Sequence, residues 1–157
     1  MMLWQWVDLL AALNLSEQGD GVGVSVSGIS IDSRTLDRGD LFFALSGDPD
    51  PRFKMSGAGN RDGHEFVSSA EESGAVGLVV SSKVDTKLPA LQVDNTLDAL
   101  WQLARFARAR MQGRVAAITG SAGKTTARSW LEQLLCTQAV THASVGSYNN
   151  HLGVPLS

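Results

Sequence analysis

Residues 114–126 have the sequence Arg114-Val115-Ala116-Ala117-Ile118-Thr119-Gly120-Ser121-Ala122-Gly123-Lys124-Thr125-Thr126. The apolar run at the start predicts a buried strand, the glycines predict a turn, and a helix is expected to open near Lys124. Backbone N–H groups in such a turn can wrap phosphate oxygens, and the helix start adds further donors and the positive end of its dipole. The stretch therefore predicts a phosphate-binding loop between a strand and a helix.

The residues after the second glycine supply the chemistry of such a loop. Lys124 can reach the outer phosphates of a nucleotide, and the Thr125 hydroxyl can hold Mg²⁺. The spacing departs from the general pattern G-x-x-x-x-G-K-[ST], because Ile118 stands where the first glycine is expected and Gly120 follows two residues later. A plain glycine turn with a chance lysine is the alternative. We disfavour it because Gly-Lys-Thr-Thr comes directly after an apolar strand.

Composition is that of an ordinary globular domain. The chain has 157 residues, with 43% hydrophobic and 18% charged residues and a formal net charge of −3. The negative charge argues against bulk attraction to nucleic acid, and no apolar run approaches the ~20 residues of a membrane span. The single cysteine, Cys136, excludes a disulfide framework and suits a reducing compartment. We therefore expect a cytoplasmic protein that binds neither nucleic acid nor membrane. Separately, we expect the full-length form to be a monomer.

Strand and helix patterns alternate before the loop. Apolar runs and period-2 alternation predict strands at residues 24–31, 41–45, 75–80 and 89–93. Apolar spacing predicts helices at residues 3–13, 63–73 and 95–112. In the first helix the spacing selects an apolar face of Leu3, Val7, Leu10 and Ala11, with Trp6, Leu9 and Leu13 alongside. After the loop, a helix is expected to continue to Leu135, and residues 140–143 predict a strand or its edge.

This organisation predicts an α/β chain of two parts. Residues 1–112 are expected to form a small N-terminal α/β domain, and residues 113–157 the first β-α units of a P-loop domain. About 45 residues cannot bury the core that such a domain needs on both faces of its sheet. The sequence therefore predicts a truncated second domain, in an N-terminal piece of a longer enzyme.

The triplet Asp32-Ser33-Arg34 follows the first predicted strand. An acid, a hydroxyl and an arginine at a strand end can form a polar clamp, and a guanidinium suits a diphosphate. An ordinary turn with a solvated arginine explains the same residues. From the triplet alone, the turn is the favoured interpretation.

The chain resembles the Mur ligases, the ATP-dependent amide ligases of bacterial cell-wall precursor synthesis. The stretches that carry the resemblance are Asp32-Ser33-Arg34, residues 39–47, Asp62-Gly63-His64-Glu65-Phe66 and residues 119–126. A further stretch, residues 149–156, is similar to that of family members that add D-alanyl-D-alanine to UDP-N-acetylmuramoyl-tripeptide. The resemblance covers nearly the whole chain.

The resemblance implies a ligase of three domains. Residues 1–112 would hold the UDP-sugar end of the substrate, residues 113–157 would begin the central ATP-binding domain, and a third domain would close over it. It implies that ATP phosphorylates the peptide carboxylate and that the amine of the dipeptide then attacks the acyl phosphate. The piece alone is expected to be inactive.

The resemblance also implies roles for individual residues. ATP would be bound by Gly120, Ser121, Ala122, Gly123, Lys124, Thr125 and Thr126, with Lys124 on the β,γ-phosphates and Thr125 on Mg²⁺. Ser33 and Arg34 would lie near the uridine diphosphate. The uracil would lie near Leu45, Ser46 and Gly47, and Asn149 and Asn150 would lie by the substrate or the transferring phosphate.

Three other functions compete with this interpretation. The first is another Mur ligase or a folylpolyglutamate synthase-like ligase. The second is a nucleotide-binding module without chemistry of its own. The third, a generic P-loop kinase or GTPase, is disfavoured because its phosphate loop usually follows the first strand of the domain, whereas here a separate α/β unit comes first.

Overall fold

The chain forms two compact units, Met1–Phe106 and Ala107–Ser157. A computed structural model describes residues 2–16, 21–46, 61–144 and 151–157. The α/β class expected from the sequence is confirmed. No helix among the described residues is long and apolar enough to cross a membrane.

A parallel sheet lies at the centre of the first unit. Its described strands, in order of pairing, are β3 (Gly28–Ser30), β4 (Asp40–Phe43), β5 (Gly77–Val80) and β6 (Ala90–Gln92). A separate antiparallel pair is formed by β1 (Trp4–Gln5) and β2 (Ser25–Val26). This unit contains the helices α1 (Trp6–Leu13) and α2 (Val67–Ser73) and a 3-10 turn at Gly63–Phe66. A third helix, α3 (Thr96–Arg110), begins in this unit and ends in the second, because the division falls after Phe106.

Every residue of β4 and β5 is buried. Parallel strands that are covered on both faces have continuous apolar sequences, as β5 has here and as β4 has after its first residue, Asp40. On one face, Phe42 and Leu78 pack in a cluster with Val67 and Ala70 of α2. On the other face, a Cβ at Gly77 would lie 2.7 Å from Cζ3 of Trp6, so glycine lets the indole approach the sheet. These central strands hold in place the loops that follow them.

Two predictions for the first unit are corrected. The single strand expected at 24–31 is two strands in different sheets, because Val26 pairs with Trp4 whereas Gly28 pairs with Asp40. The first helix begins at Trp6, not at Leu3, and it buries a different face from the one predicted. The buried residues of α1 are Trp6, Leu9, Ala12 and Leu13.

The second unit contains α4 (Lys124–Cys136), which begins where the sequence predicted a helix. The strands expected at 115–118 and 140–143 are not formed. A strand is stabilised by hydrogen bonds to a neighbour, and the described residues of this unit supply no paired strand. The side chains of Val115 and Ile118 are accordingly exposed, by 58% and 37%.

Candidate functional site

The loop from Gly120 to Gly123 has a backbone that favours glycine at both ends. The φ angle is +152° at Gly120 and +75° at Gly123, and L side chains rarely adopt either value. A Cβ at Gly123 would meet no atom within 4 Å, so the backbone angle alone demands glycine there. This bend delivers the chain directly into α4, whose N-terminal cap is Gly123.

The first turn of α4 presents N–H groups at the end of the loop. The N–H of Ala127 donates to the carbonyl of Gly123 at 2.9 Å and closes the first helical turn. The N–H groups of Lys124, Thr125 and Thr126 precede that bond and have no partner within the helix. No side chain of the described residues caps this end. Such a group of N–H donors can bind an anion.

Lys124 turns back over the loop. Its ammonium donates a hydrogen bond to the carbonyl of Gly120, four residues earlier, and the side chain is exposed. The cation and the N–H donors of the helix start therefore flank the same short loop. A phosphate group could replace the Gly120 carbonyl as the acceptor of the Lys124 hydrogen bond, because a charged acceptor makes the stronger hydrogen bond.

Thr125 is also exposed, and its hydroxyl has no hydrogen-bond partner within the described part of the chain. A hydroxyl at the start of a helix fits Mg²⁺ as one ligand, since this ion takes most of its other ligands from water and phosphate oxygens. The described residues contain no cluster of three or more His, Cys, Asp or Glu side chains that could hold a metal. Ser121 and Ala122 are exposed in the loop, as is Thr126 in the helix.

The carboxyl edge of the parallel sheet in the first unit carries a second group of polar residues. After β3, the guanidinium of Arg34 forms two hydrogen bonds to Asp32, with Nε–Oδ1 at 2.9 Å and Nη2–Oδ2 at 2.6 Å. These bonds lower the pKa of Asp32 from 3.8 to about 2. The Arg34 side chain remains 83% exposed. The next residue toward the strand, Ser33, is buried, and its carbonyl accepts a hydrogen bond from Ser73 Oγ at 3.1 Å.

The predicted uracil residues follow β4 at the same edge. Leu45 is half-buried, and Ser46 is exposed with its Oγ 3.2 Å from the Oγ of Ser81, which follows β5. The structure thus brings Ser46 next to a residue that the sequence had not selected. Gly47, Asn149 and Asn150 lie outside the described residues.

Sequence reasoning also missed the role of His64 at this edge. Its Nδ1 lies 2.5 Å from Asp62 Oδ1, and its Nε2 accepts a hydrogen bond from the N–H of Ser81 at 2.9 Å. The stretch Asp62-Gly63-His64 stood out in the sequence, but its contact with Ser81 joins residues 17 positions apart. No local sequence pattern predicts such a contact.

Comparison with known proteins bears on both groups of residues. Residues 118–157, which include the phosphate loop, match the family described as Mur ligase middle domain. The UDP-N-acetylmuramoyl-tripeptide–D-alanyl-D-alanine ligase of Rickettsia prowazekii is 32% identical over 155 residues, which are 98% of this chain and 31% of the relative.

The chain belongs to the Mur ligase family. A crystal structure of MurF from Acinetobacter baumannii superposes on this Mur ligase chain with a TM-score of 0.78 and 33% identity, over 98% of this chain and 32% of that one. The MurF ligase of Thermotoga maritima, solved in complex with ADP, gives a TM-score of 0.62 and 29% identity, over 83% and 28% of the two chains. The chain thus spans about a third of the length of the relatives it matches.

Proposed function

We propose that this Mur ligase chain contributes the sugar-nucleotide site and the phosphate loop of an ATP-dependent ligase. The reaction joins D-alanyl-D-alanine to UDP-N-acetylmuramoyl-tripeptide through an acyl phosphate. The observation that carries the proposal is the loop from Gly120 to Gly123, with Lys124 folded over it and α4 opening behind it. The names of the relatives, and the ADP bound to one of them, support the choice of ATP and of these substrates.

The loop residues supply what phosphoryl transfer requires. A carboxylate is a poor acylating agent, and phosphorylation gives it a leaving group. The transfer needs positive charge around the moving phosphoryl group, held in place before the reaction. We assign that charge to Lys124 and the loop N–H groups, and one Mg²⁺ ligand to the hydroxyl of Thr125.

The sheet edge of the first unit supplies the groups that a UDP-sugar needs. Arg34 presents an exposed guanidinium whose orientation is fixed by Asp32, and such a fork can bind a diphosphate. Ser33 would act near that diphosphate through its backbone, because its side chain is buried. Leu45 and Ser46 offer an apolar surface and a hydroxyl for the uracil. Gly47, Asn149 and Asn150 remain in the proposal on the resemblance alone.

The proposal also assigns a separate role to each of the two parts of the chain. We assign residues 1–112 to the UDP-sugar and residues 113–157 to the beginning of the ATP domain, in a monomeric cytoplasmic enzyme. The described residues offer the loop no obvious acidic side chain for a second metal contact. We therefore infer that the 157-residue chain binds UDP-sugar weakly, binds ATP more weakly and does not catalyse ligation.

Calorimetric titration of the chain with UDP-N-acetylmuramoyl-tripeptide and with Mg²⁺-ATP tests the two binding sites. Both ligands are expected to bind, and Lys124→Met is expected to weaken ATP alone. Thermal-shift scans against UDP-muramoyl peptides of other lengths and against folates separate the tripeptide ligase from its alternatives. An assay of ADP release with tripeptide and D-alanyl-D-alanine completes the test. Turnover by the chain itself would refute the inference that it does not catalyse ligation. Failure to bind UDP-N-acetylmuramoyl-tripeptide, or failure to bind Mg²⁺-ATP, would refute the proposed function.

A further inference from the structure

The stretch Asp62-Gly63-His64 lies against the ends of two central strands. The N–H of Gly63 donates to the carbonyl of Leu45 at 2.8 Å. A Cβ at Gly63 would lie 2.6 Å from the backbone nitrogen of Leu45 and 2.9 Å from the carbonyl carbon of Ala44. Glycine is therefore required for this approach, which brings the following histidine between the loops after β4 and β5.

The hydrogen bonds of His64 define one tautomer. A backbone N–H can only donate, so the bond from Ser81 N–H to Nε2 requires a lone pair on Nε2. The proton of the neutral ring then lies on Nδ1, which faces the carboxylate of Asp62 at 2.5 Å. Asp62 also accepts the N–H of His64 at 3.0 Å. The carboxylate thus fixes both the tautomer and the orientation of the ring.

Ser81 connects the buried ring to the surface of the sheet edge. The His64 side chain is only 10% exposed, whereas Ser81 is half-buried and Ser46 is exposed. The Oγ of Ser81 lies 3.4 Å from His64 Nε2 and 3.2 Å from Ser46 Oγ. Because Nε2 already accepts the Ser81 N–H at the shorter distance, the hydroxyl of Ser81 is directed to Ser46 or to a ligand.

We propose that Asp62, His64 and Ser81 form a positioning relay, and that Ser81 is a further ligand-contacting residue of the sugar-nucleotide site. The relay holds the hydroxyls of Ser46 and Ser81 side by side at the edge of the sheet. Two adjacent hydroxyls can donate and accept together, which matches the alternating carbonyl and N–H groups of a uracil edge. The inference rests on the proposed function, because it deepens the assignment of this edge to the UDP-sugar.

Substitutions of His64 can separate the two ends of the relay. Asparagine places an amide near the position of Nδ1, where it can still donate to Asp62, but it has no atom at the position of Nε2. Glutamine is longer, and its carbonyl oxygen can accept the N–H of Ser81. His64→Gln therefore serves as the conservative variant, because it keeps the acceptor for the Ser81 N–H that His64→Asn loses.

Calorimetry with UDP as the probe gives the expected order of affinities. His64→Asn and Ser81→Ala are each expected to raise the Kd about tenfold, the effect of one lost or misplaced hydrogen bond. His64→Gln is expected to stay within about threefold of the unsubstituted chain, since it keeps the acceptor. The matched controls are Ser82→Ala, the exposed neighbour of Ser81, and His142→Asn, an exposed histidine of the second unit. Thermal unfolding identifies any variant that has lost its fold.

Nitrogen NMR of the histidine rings tests the relay without any ligand. His64 is expected to show a protonated Nδ1 and a bare Nε2, and Asp62→Asn is expected to disturb this state. A proton on Nε2 would overturn the relay. Unchanged UDP affinity in both His64→Asn and Ser81→Ala would overturn the inference and leave the proposed function intact. Failure of the unsubstituted chain to bind UDP would instead refute the proposed function, and with it the ligand-contacting role of Ser81.

Discussion

Arg34 and Asp32 form a two-point ion pair at the carboxyl end of β3, with contacts of 2.9 and 2.6 Å between the guanidinium and the carboxylate. The backbone N–H of Arg34 adds a third hydrogen bond to the same carboxylate at 3.0 Å. An exposed arginine would otherwise sample many rotamers, so the acid restricts where the guanidinium can lie. The residue is therefore solvated, as the turn interpretation expects, and also oriented, as the clamp interpretation requires.

The pKa of Asp32 reports directly on this pair. Its value is lowered to about 2, chiefly by the hydrogen bond from the Arg34 side chain. A depressed carboxyl pKa contributes stability that is present above its ordinary value of 3.8 and is lost as the pH falls through about 2. We predict that Arg34→Met raises the pKa of Asp32 toward 3.8, as measured by NMR titration of the side-chain carboxyl carbon.

Arg38 provides the control for that titration. It is an exposed arginine four residues further along, and it does not take part in the contacts of Asp32. Arg38→Met is expected to leave the pKa of Asp32 unchanged. If both arginine variants moved the Asp32 titration equally, general charge in this region would explain the shift, and the specific pair would not.

Arg34→Lys tests the geometry of the proposed diphosphate contact. Lysine keeps the charge but loses the planar fork that Asp32 orients. We expect the affinity for UDP to fall about tenfold in this variant, because a point charge cannot replace two directed donors. Calorimetric titration measures the effect. A lysine variant that binds UDP as tightly as the unsubstituted chain would show that only the charge matters.

Local patterns were sufficient to predict several parts of this structure. The continuous apolar runs of β4 and β5 and the start of α4 at Lys124 follow from nearest-neighbour chemistry. Asp94 or Asn95 was expected to cap α3, and it is the side chain of Asn95 that accepts the N–H groups of Leu97 and Asp98, at 2.9 and 3.0 Å. In each case the residues that determine the element lie within a few positions of one another.

Other parts depend on partners that are distant in sequence. The strand expected at 24–31 divides at Ser27, whose N–H donates to the carbonyl of Gly39, because the chain changes neighbours there. Period-2 alternation is the same in both sheets, so the pattern contains no sign of the change. The contact of His64 with Ser81 could not be predicted from local sequence for a similar reason. It depends on the pairing of β4 with β5, which brings residues together that are distant in sequence.

Gly123→Ala tests whether the bend before α4 serves nucleotide binding. The φ of +75° at this position disfavours a side chain, and nothing crowds the Cβ position. We expect a loss of about 1 kcal/mol of stability from the backbone strain, and a fall in ATP affinity as the loop N–H groups change direction. Chemical unfolding and ATP titration measure the two effects.

Gly23→Ala is the matched strain control for Gly123→Ala. Gly23 has a φ of +86°, and its Cβ position is equally open, but it belongs to the first unit, whereas the phosphate loop belongs to the second. It is expected to lower stability by a similar amount and to leave ATP affinity unchanged. Equal losses of ATP affinity in the two variants would mean that general destabilisation causes the effect.

Thr125→Ala and Thr125→Ser test the assignment of Mg²⁺. Alanine removes the hydroxyl, whereas serine keeps it at the start of α4. We predict that alanine abolishes most of the gain in ATP affinity that Mg²⁺ confers, and that serine restores it, because a hydroxyl is the oxygen ligand required. Titrations of ATP with and without Mg²⁺ give the gain for each variant. An equal Mg²⁺ dependence in both variants would remove Thr125 from the metal site.

Gly63→Ala tests the close approach that brings His64 to the sheet edge. The added Cβ would overlap the backbone of Ala44 and Leu45, which directly follow β4, and this backbone cannot move aside as a flexible side chain can. We predict a loss of about 2 kcal/mol in the free energy of unfolding, typical of overpacking at a tight contact. Gly113→Ala is the comparison, since its Cβ would meet only the mobile end of Met111 at 2.8 Å. Urea unfolding followed by tryptophan fluorescence should show a large loss for the first variant and a small one for the second, and similar losses would contradict the packing argument.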